Sequence, residues 1–335
     1  MFRWFGSARR WVRRPLAAVL LVGALAACGS GGTGAGPAEG SGGEFHARVT
    51  GKFGTTTIDR KPVRVVAMSW TDADLALSLG ITPVGIAKAN DTPAGLEPWT
   101  ETALGAAKPT LFDVIGGDPI EDVAKLAPDV ILATKDYNLT RSYPQLSQIA
   151  PVVTYVDAVN SDSWQQGLTN VATALGRAAE GRKVTDDTQA QIDRQRSAHP
   201  ELAGKTFSYV IAPTAAGAFT VNSNQDVSAK LLAALGMRLS PTVLGLPSSG
   251  LPGRAQISPE NLSVLDADVV LATGSPDALA DLAKNPVFAN LTSVRRGGYV
   301  PLGYTASVAL AFPSPLSIQW ALNQVLPKLA AAAKA

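Results

Sequence analysis

A disulfide cannot form within this chain, because Cys28 is its only cysteine; whatever fold it adopts is held by packing and hydrogen bonds. Histidine is nearly as scarce. The two present, His46 and His199, lie far apart in sequence, whereas a bare-metal site asks for several imidazoles and carboxylates converging. There is no G-x-S-x-G elbow and no G-x-G-x-x-G turn after a strand, and Gly116-Gly117-Asp118 lacks the Lys-Ser/Thr of a P-loop. With neither histidine beside an acid–base partner, the chain is not expected to be an enzyme. Basic runs are missing beyond the first 27 positions, which argues against nucleic-acid binding. No second long apolar stretch follows them, so nothing else is expected to span a membrane.

What is present begins with those 27 residues. They carry five arginines and no acid, then an apolar run over 16–27 that ends in small side chains. This is the layout of a secretory leader, too short to cross a bilayer. Arg9-Arg10 leaves a twin-arginine export route open beside the general one. The leader ends Leu25-Ala26-Ala27-Cys28-Gly29, which matches a lipobox, where the cysteine is acylated and becomes the mature N-terminus; an incidental buried thiol is the competing reading. Residues 28–43 are nearly all Gly, Ser, Ala, Thr and Pro, a composition that buries no core and acts as a tether. Without the leader, 24 basic residues face 27 acidic ones, a net of about −3, so the pI of 8.6 describes only the precursor.

The body contains an internal echo. Residues 121–134, from Glu121-Asp122 to Leu132-Ala133-Thr134, align without gaps on 260–273, from Glu260-Asn261 to Leu271-Ala272-Thr273. Each copy predicts a short helix behind a proline, then a turn, then a β-branched strand buried on both faces. A weaker echo pairs 72–81 with 226–237, both ending Leu-Gly-apolar. The chain therefore predicts two pseudo-symmetric α/β lobes, at 44–163 and 201–335. Between them, 164–200 reads as helical, and 182–198 is charged, with few apolar anchors beyond Val184 and Ile192. It suits either a rod joining the lobes or a surface helix of one. Strands are predicted at 64–68, 83–87, 130–133 and 152–155 in a largely parallel sheet. A helix capped by Thr71 or Asp72 should follow the first of them. The second lobe should hold strands at 207–211, 269–272 and 298–301, a hairpin at 218–221, and a last helix at 316–333 bent at Pro327.

At this point the residues resemble the periplasmic-binding-protein family that serves siderophore, haem and cobalamin importers. The ordered set carries the resemblance: Pro62-Val63-Arg64-Val65-Val66-Ala67, Leu79-Gly80-Ile81-Thr82-Pro83-Val84-Gly85-Ile86, Leu126-Ala127-Pro128-Asp129-Val130, Tyr143-Pro144-Gln145-Leu146 and Ile257-Ser258-Pro259-Glu260-Asn261-Leu262. It implies two α/β lobes joined by one long helix, with the ligand in the cleft between them. It also implies that Glu121 and Glu260 dock onto arginines of an ABC permease. Two carboxylates at equivalent places on pseudo-symmetric lobes can read a twofold partner, although helix capping would also favour acids there.

In open α/β sheets the ligand sits beyond the carboxyl ends of the strands. Those ends offer Trp70, Lys135, Tyr137 and Tyr304, and loops add Trp99 and Arg254. Aromatic faces with Arg or Lys suit a ferric siderophore, whose chelate has apolar edges and often negative charge. Iron is then expected only as part of the ligand, with no resident cofactor. Haem, ligated by Tyr304 or Tyr137, and cobalamin stand as alternatives. The expectation is a monomeric, exported solute-binding lipoprotein, held at the outer face of the cell membrane through Cys28.

Overall fold

A computed structural model describes residues 45–335, apart from 90, 91, 160, 215 and 216. The leader, Cys28 and the tether predicted over 28–43 lie outside the described residues.

The body opens with a hairpin absent from the sequence-based expectation, β1 (Ala47–Gly51) and β2 (Gly54–Ile58). Five short strands then build the first sheet: β3 (Val65–Ala67), β4 (Gly85–Ala87), β5 (Thr110–Phe112), β6 (Val130–Ala133) and β7 (Val152–Thr154). Their spatial order is β5-β4-β3-β6-β7, and every pairing is parallel. The Val, Ile and Ala runs of β3, β6 and β7 are wholly buried, as a sheet covered on both faces requires. The crossovers are α1 (Trp70–Ser78), α2 (Pro98–Leu104), α3 (Ile120–Lys125) and α4 (Leu139–Ile149). The cap of α1 differs from the expectation. Ser69, not Thr71 or Asp72, takes the extended N-cap conformation and accepts the Asp72 amide at 3.0 Å. That shift puts Trp70 on the first turn, at the carboxyl end of β3.

The chain leaves the first sheet through α5 (Trp164–Ala174) and α6 (Ala178–Ala198). The break between them falls at Gly176, in the left-handed region at φ 65°. Gly181 lies inside α6 and is buried, because the helices meet there: a Cβ would come within 2.5 Å of the Ala172 methyl. Over its 21 residues α6 otherwise buries only Thr188 and Ile192, which fits a connecting rod better than a core helix.

The second sheet consists of β8 (Thr206–Thr214), β9 (Gly217–Val221), β10 (Arg238–Leu239), β11 (Arg254–Ile257), β12 (Val269–Thr273) and β13 (Tyr299–Leu302). Its order is β11-β9-β8-β12-β13, with β10 beside β8. One flank, β8-β12-β13, is parallel and repeats β3-β6-β7. The other flank breaks the symmetry: β9 is antiparallel to both β8 and β11, and β11 opens on Arg254, which the sequence places in a loop. Around this sheet lie α7 (Val227–Ala234), α8 (Pro241–Leu244), α9 (Pro276–Lys284), α10 (Pro286–Ala289), α11 (Thr292–Arg295) and α12 (Tyr304–Ala311). The terminal helix is two helices, α13 (Pro315–Gln324) and α14 (Leu326–Lys334). Pro327 stands in the first turn of α14, where its missing N–H breaks no ladder.

The repeat has a structural meaning. In the first copy α3 leads to β6; in the second a 3-10 segment, Pro259–Leu265, leads to β12. Asp129 and Asp268, equivalent within the repeat, do one job. The Asp129 carboxylate accepts the amides of Val63 and Arg64 at 2.9 and 2.8 Å, and that of Asp268 accepts the amide and hydroxyl of Thr206 at 2.8 Å. Each carboxylate pins the entry of its central strand, and those hydrogen bonds hold both below the usual aspartate range. The largest apolar core runs through both halves, joining Leu75, Leu168 and Val130 to Phe207, Val270 and Ile318.

Candidate ligand cleft

The carboxyl ends of β3 and β6 open into a cavity of about 280 Å³. Its aromatic wall is built from opposite ends of the chain. Trp70, on the first turn of α1, meets the ring of Phe312 edge-on with centroids 5.6 Å apart. Tyr137, from the segment after β6, approaches the same phenylalanine at 6.4 Å and is 59% exposed. The indole Nε1 of Trp70 is buried and meets no hydrogen-bond acceptor among the described residues.

A buried carboxylate braces residues that line the cavity. Asp72 accepts the amide and hydroxyl of Thr134 at 2.9 and 2.6 Å and the hydroxyl of Ser69 at 2.6 Å. Burial raises its pKa, and these donors oppose the rise. It thereby ties the end of β6 to the cap of α1. Lys135 follows, and its ammonium is held by backbone carbonyls. Nζ donates to the carbonyls of Val159 and Asp162, 2.9 Å from each, so it secures the segment after β7. Desolvation pulls its pKa down, against the attraction of Asp162 and Asp72.

Asp136 comes next and is buried. Its Oδ1 accepts the Asn138 amide at 2.8 Å, and its carboxyl is hydrogen-bonded to that of Asp118. Burial, then the neighbouring charge of Asp118, push its carboxyl up to about 8. Asn138 spans the same corner, donating to the Val114 carbonyl at 3.1 Å and to Asp118 at 3.3 Å.

Three of the sequence-predicted ligand residues, Trp70, Lys135 and Tyr137, thus line one cavity. The other three stand elsewhere. Tyr304 opens α12 after β13 and is half-buried against the core. Arg254 opens β11; its Nε lies 3.2 Å from the Asp226 carboxylate, and its guanidinium stands 6.0 Å from the Tyr209 ring centroid. Trp99 is interior: its indole donates to Asp74 at 2.7 Å and its ring tilts against Trp320 at 5.4 Å. Sequence reasoning missed Phe312 and Asp136. Phe312 lies far along the chain, where only tertiary folding brings it back; Asp136 stands between two residues that were singled out, and its adjacency was the available signal. A larger cavity, about 370 Å³, lies among α5, α6 and α7 and is walled by Trp164, Ile192 and Leu231 rather than by strand ends. Glu121 and Glu260 are exposed, each in the first turn of its repeat copy.

The family described as periplasmic binding protein matches residues 65–300. The ferric enterobactin-binding periplasmic protein FepB of Escherichia coli is 27% identical over 290 residues, covering 81% of this chain and 88% of its own. Among solved structures, PiaA of Streptococcus pneumoniae in complex with ferrichrome is 29% identical with a TM-score of 0.76. A periplasmic solute-binding protein of Mycobacterium smegmatis is 27% identical with a TM-score of 0.75. Each of these two structures covers 86% of this chain and 99% of its own.

Proposed function

Because the chain belongs to the periplasmic binding protein family, we propose that it captures a ferric siderophore outside the cell and delivers it to an ABC importer. The observation that carries this reading is the cavity at the ends of β3 and β6, walled by Trp70, Tyr137 and Phe312. Flat aromatic surface suits the apolar edges of an iron chelate. The names of the relatives support the same cargo, since FepB is a ferric enterobactin-binding protein and PiaA is complexed with ferrichrome. The protein acts by binding and not by catalysis, and iron enters only inside its ligand. Acylated Cys28 holds a monomeric body at the outer face of the membrane through the Gly/Ser tether, and Glu121 and Glu260 meet the permease. Of the residues first considered, Trp70 and Tyr137 contact the cargo, and Tyr304 and Arg254 serve from the second half. Lys135 positions its loop and Trp99 its helix.

The test is a titration of the mature protein with ferric hydroxamate, catecholate and citrate chelates, haem and cobalamin, read by tryptophan fluorescence. At least one ferric chelate should quench with a dissociation constant of about 1 μM or below. Silence towards every iron chelate, or a response to haem or cobalamin alone, would overturn the reading.

A further inference from the structure

Charge is unevenly spread over the body. Residues 45–64 hold five basic side chains and one acid, Asp59, whereas residues 65–335 hold 19 basic against 24 acidic. Four of the five, Arg48, Arg60, Lys61 and Arg64, are exposed and gather at one end of the first sheet. The hairpin runs alongside β7. Thr56 donates its hydroxyl to the Val152 carbonyl at the start of that strand, and the Lys52 amide, in the hairpin turn, donates to the Tyr155 carbonyl beyond its end, both at 2.7 Å. The open end of the hairpin, with Arg48 and the run into Arg60-Lys61, therefore lies towards the amino ends of the strands. Val63 and Arg64 lie there too, since Asp129, just ahead of β6, accepts both of their amides. The cleft opens at the opposite, carboxyl ends.

The acids nearby are already engaged. Asp59 pairs with His46 at 2.7 Å and Glu180 with Arg177 at 2.9 Å, while Oδ2 of Asp129 takes the two amides. Among the described residues no carboxylate comes within ion-pair distance of Arg48, Arg60 or Lys61; Asp129 and Glu180 act on Arg60 and Lys61 only from farther off. Arg64 donates to the carbonyls of Leu126 and Ala127 and keeps its charge. Like charges gathered in this way repel one another unless an anionic surface answers them. Val63, among them, is 78% exposed, and an apolar side chain set between cations suits a headgroup layer. The same end receives the chain from the tether, because β1 starts at Ala47. By composition, residues 28–43 span roughly 20–25 Å from end to end.

We propose that Arg48, Arg60, Lys61, Val63 and Arg64 form a docking surface for the anionic phospholipid headgroups of the membrane that carries the anchor. The body then rests on the amino-end face of its first sheet, and the cleft stays clear of the lipid. The proposal rests on the reading of Cys28 as a lipid anchor and adds the face that meets the membrane. Contact is electrostatic and shallow. Each cation near anionic lipid is worth about fivefold in partitioning, which is effective at the roughly millimolar local concentration a short tether imposes. Such a contact also breaks readily, which frees the body to reach a permease through Glu121 and Glu260.

The experiment uses the mature chain, residues 28–335, made without acylation. It is sedimented with vesicles of phosphatidylcholine alone or with about 30% phosphatidylglycerol. At about 0.01 M salt, wild type should partition at least about tenfold more strongly onto the anionic vesicles. Raising salt to about 0.15 M shortens the Debye length from about 30 to about 8 Å and should weaken that partitioning at least about tenfold. Arg48→Gln, Arg60→Gln and Lys61→Gln combined should lower it at least about thirtyfold. Lys284→Gln, Arg295→Gln and Lys328→Gln combined, all at exposed positions of the second half, should leave it within about threefold. Should the first triple variant not fold, its three single variants decide, each weakening partitioning by about fivefold. Equal partitioning onto the two kinds of vesicle, indifference to salt, or equal losses in the two triple variants overturns the proposal and leaves the anchor standing. Cell-made protein with no fatty acid on Cys28 by mass spectrometry overturns it through the anchor itself.

Discussion

Asp74 is a carboxyl removed from water and held by three donors. Trp99 Nε1 and the Ser314 hydroxyl reach Oδ2 at 2.7 and 2.8 Å, and the Thr100 hydroxyl reaches Oδ1 at 2.6 Å. Ser314 is also the N-cap of α13 and belongs to a reciprocal capping box with Ser317. One side chain therefore joins α1, α2 and α13. Desolvation outweighs the donors and lifts the carboxyl to about 7. A folded-state value above the unfolded one means that the native state holds the proton more tightly. The resulting stabilisation is complete below the ordinary value of 3.8 and is lost as pH rises towards about 7. Asp74→Asn cannot satisfy all three donors and should destabilise at every pH, by about 1–3 kcal/mol. Because the variant carries no ionisation penalty, the loss should be smaller at pH 8 than at pH 5. Chemical denaturation at the two pH values measures this; an equal loss at both would show that Asp74 titrates as an ordinary carboxyl.

At the scale of the element, Gly181 sets two tendencies against each other. Alanine is favoured over glycine inside a helix by about 1 kcal/mol. Yet a methyl group at 181 would come within 2.5 Å of the Ala172 methyl, where α5 and α6 are closest. Overpacking of this kind costs about 1–3 kcal/mol, so Gly181→Ala should lower the melting temperature, and a rise would mean that the two helices separate without penalty. The same residue shows what a sequence can and cannot convey. Glycine as a helix breaker is a local signal, and Gly176, whose φ is positive, acts as one although the sequence-based reading runs a helix through it. Glycine as a contact point depends on a neighbouring helix and carries no local mark. Strands buried on both faces, such as β6 and β12, were legible as apolar β-branched runs. Strand β5 (Thr-Leu-Phe) and strand β11 (Arg-Ala-Gln-Ile) were not, since their residues fit a loop and are strands only through their partners β4 and β9. Trp70 and Tyr137 share a cavity because both follow the carboxyl ends of neighbouring strands, which is the feature that singles them out in the sequence. The carbonyl partners of the Lys135 ammonium lie 24 and 27 residues away in sequence and carry no local mark.

At the scale of the whole molecule, the repeat places Glu121 and Glu260 ahead of the strands flanking β3 and β8, each in an exposed first turn. Neither glutamate lines the cleft cavity. Local hydrogen bonding gives a reason for the acid at 260, where its own amide and the Ser258 side chain hold the carboxyl below its usual range, but no such bond is made at the start of the helix that carries Glu121. The proposed docking accounts for both positions at once: equivalent carboxylates on two lobes would meet equivalent cations on two subunits of a twofold-symmetric permease. On that account Glu121→Lys and Glu260→Lys each place like charges against each other, a penalty of several kcal/mol at a docked interface. Each variant should reduce uptake of a labelled ferric chelate by at least about tenfold, and the pair should abolish it. Because the substitutions stand at exposed turns, cargo affinity should stay within about twofold of wild type and stability within about 0.5 kcal/mol. Uptake in cells and fluorescence titration of the purified variants separate the outcomes. Unimpaired uptake by the double variant would remove the docking role, and weakened affinity with normal stability would place the glutamates within reach of the cargo.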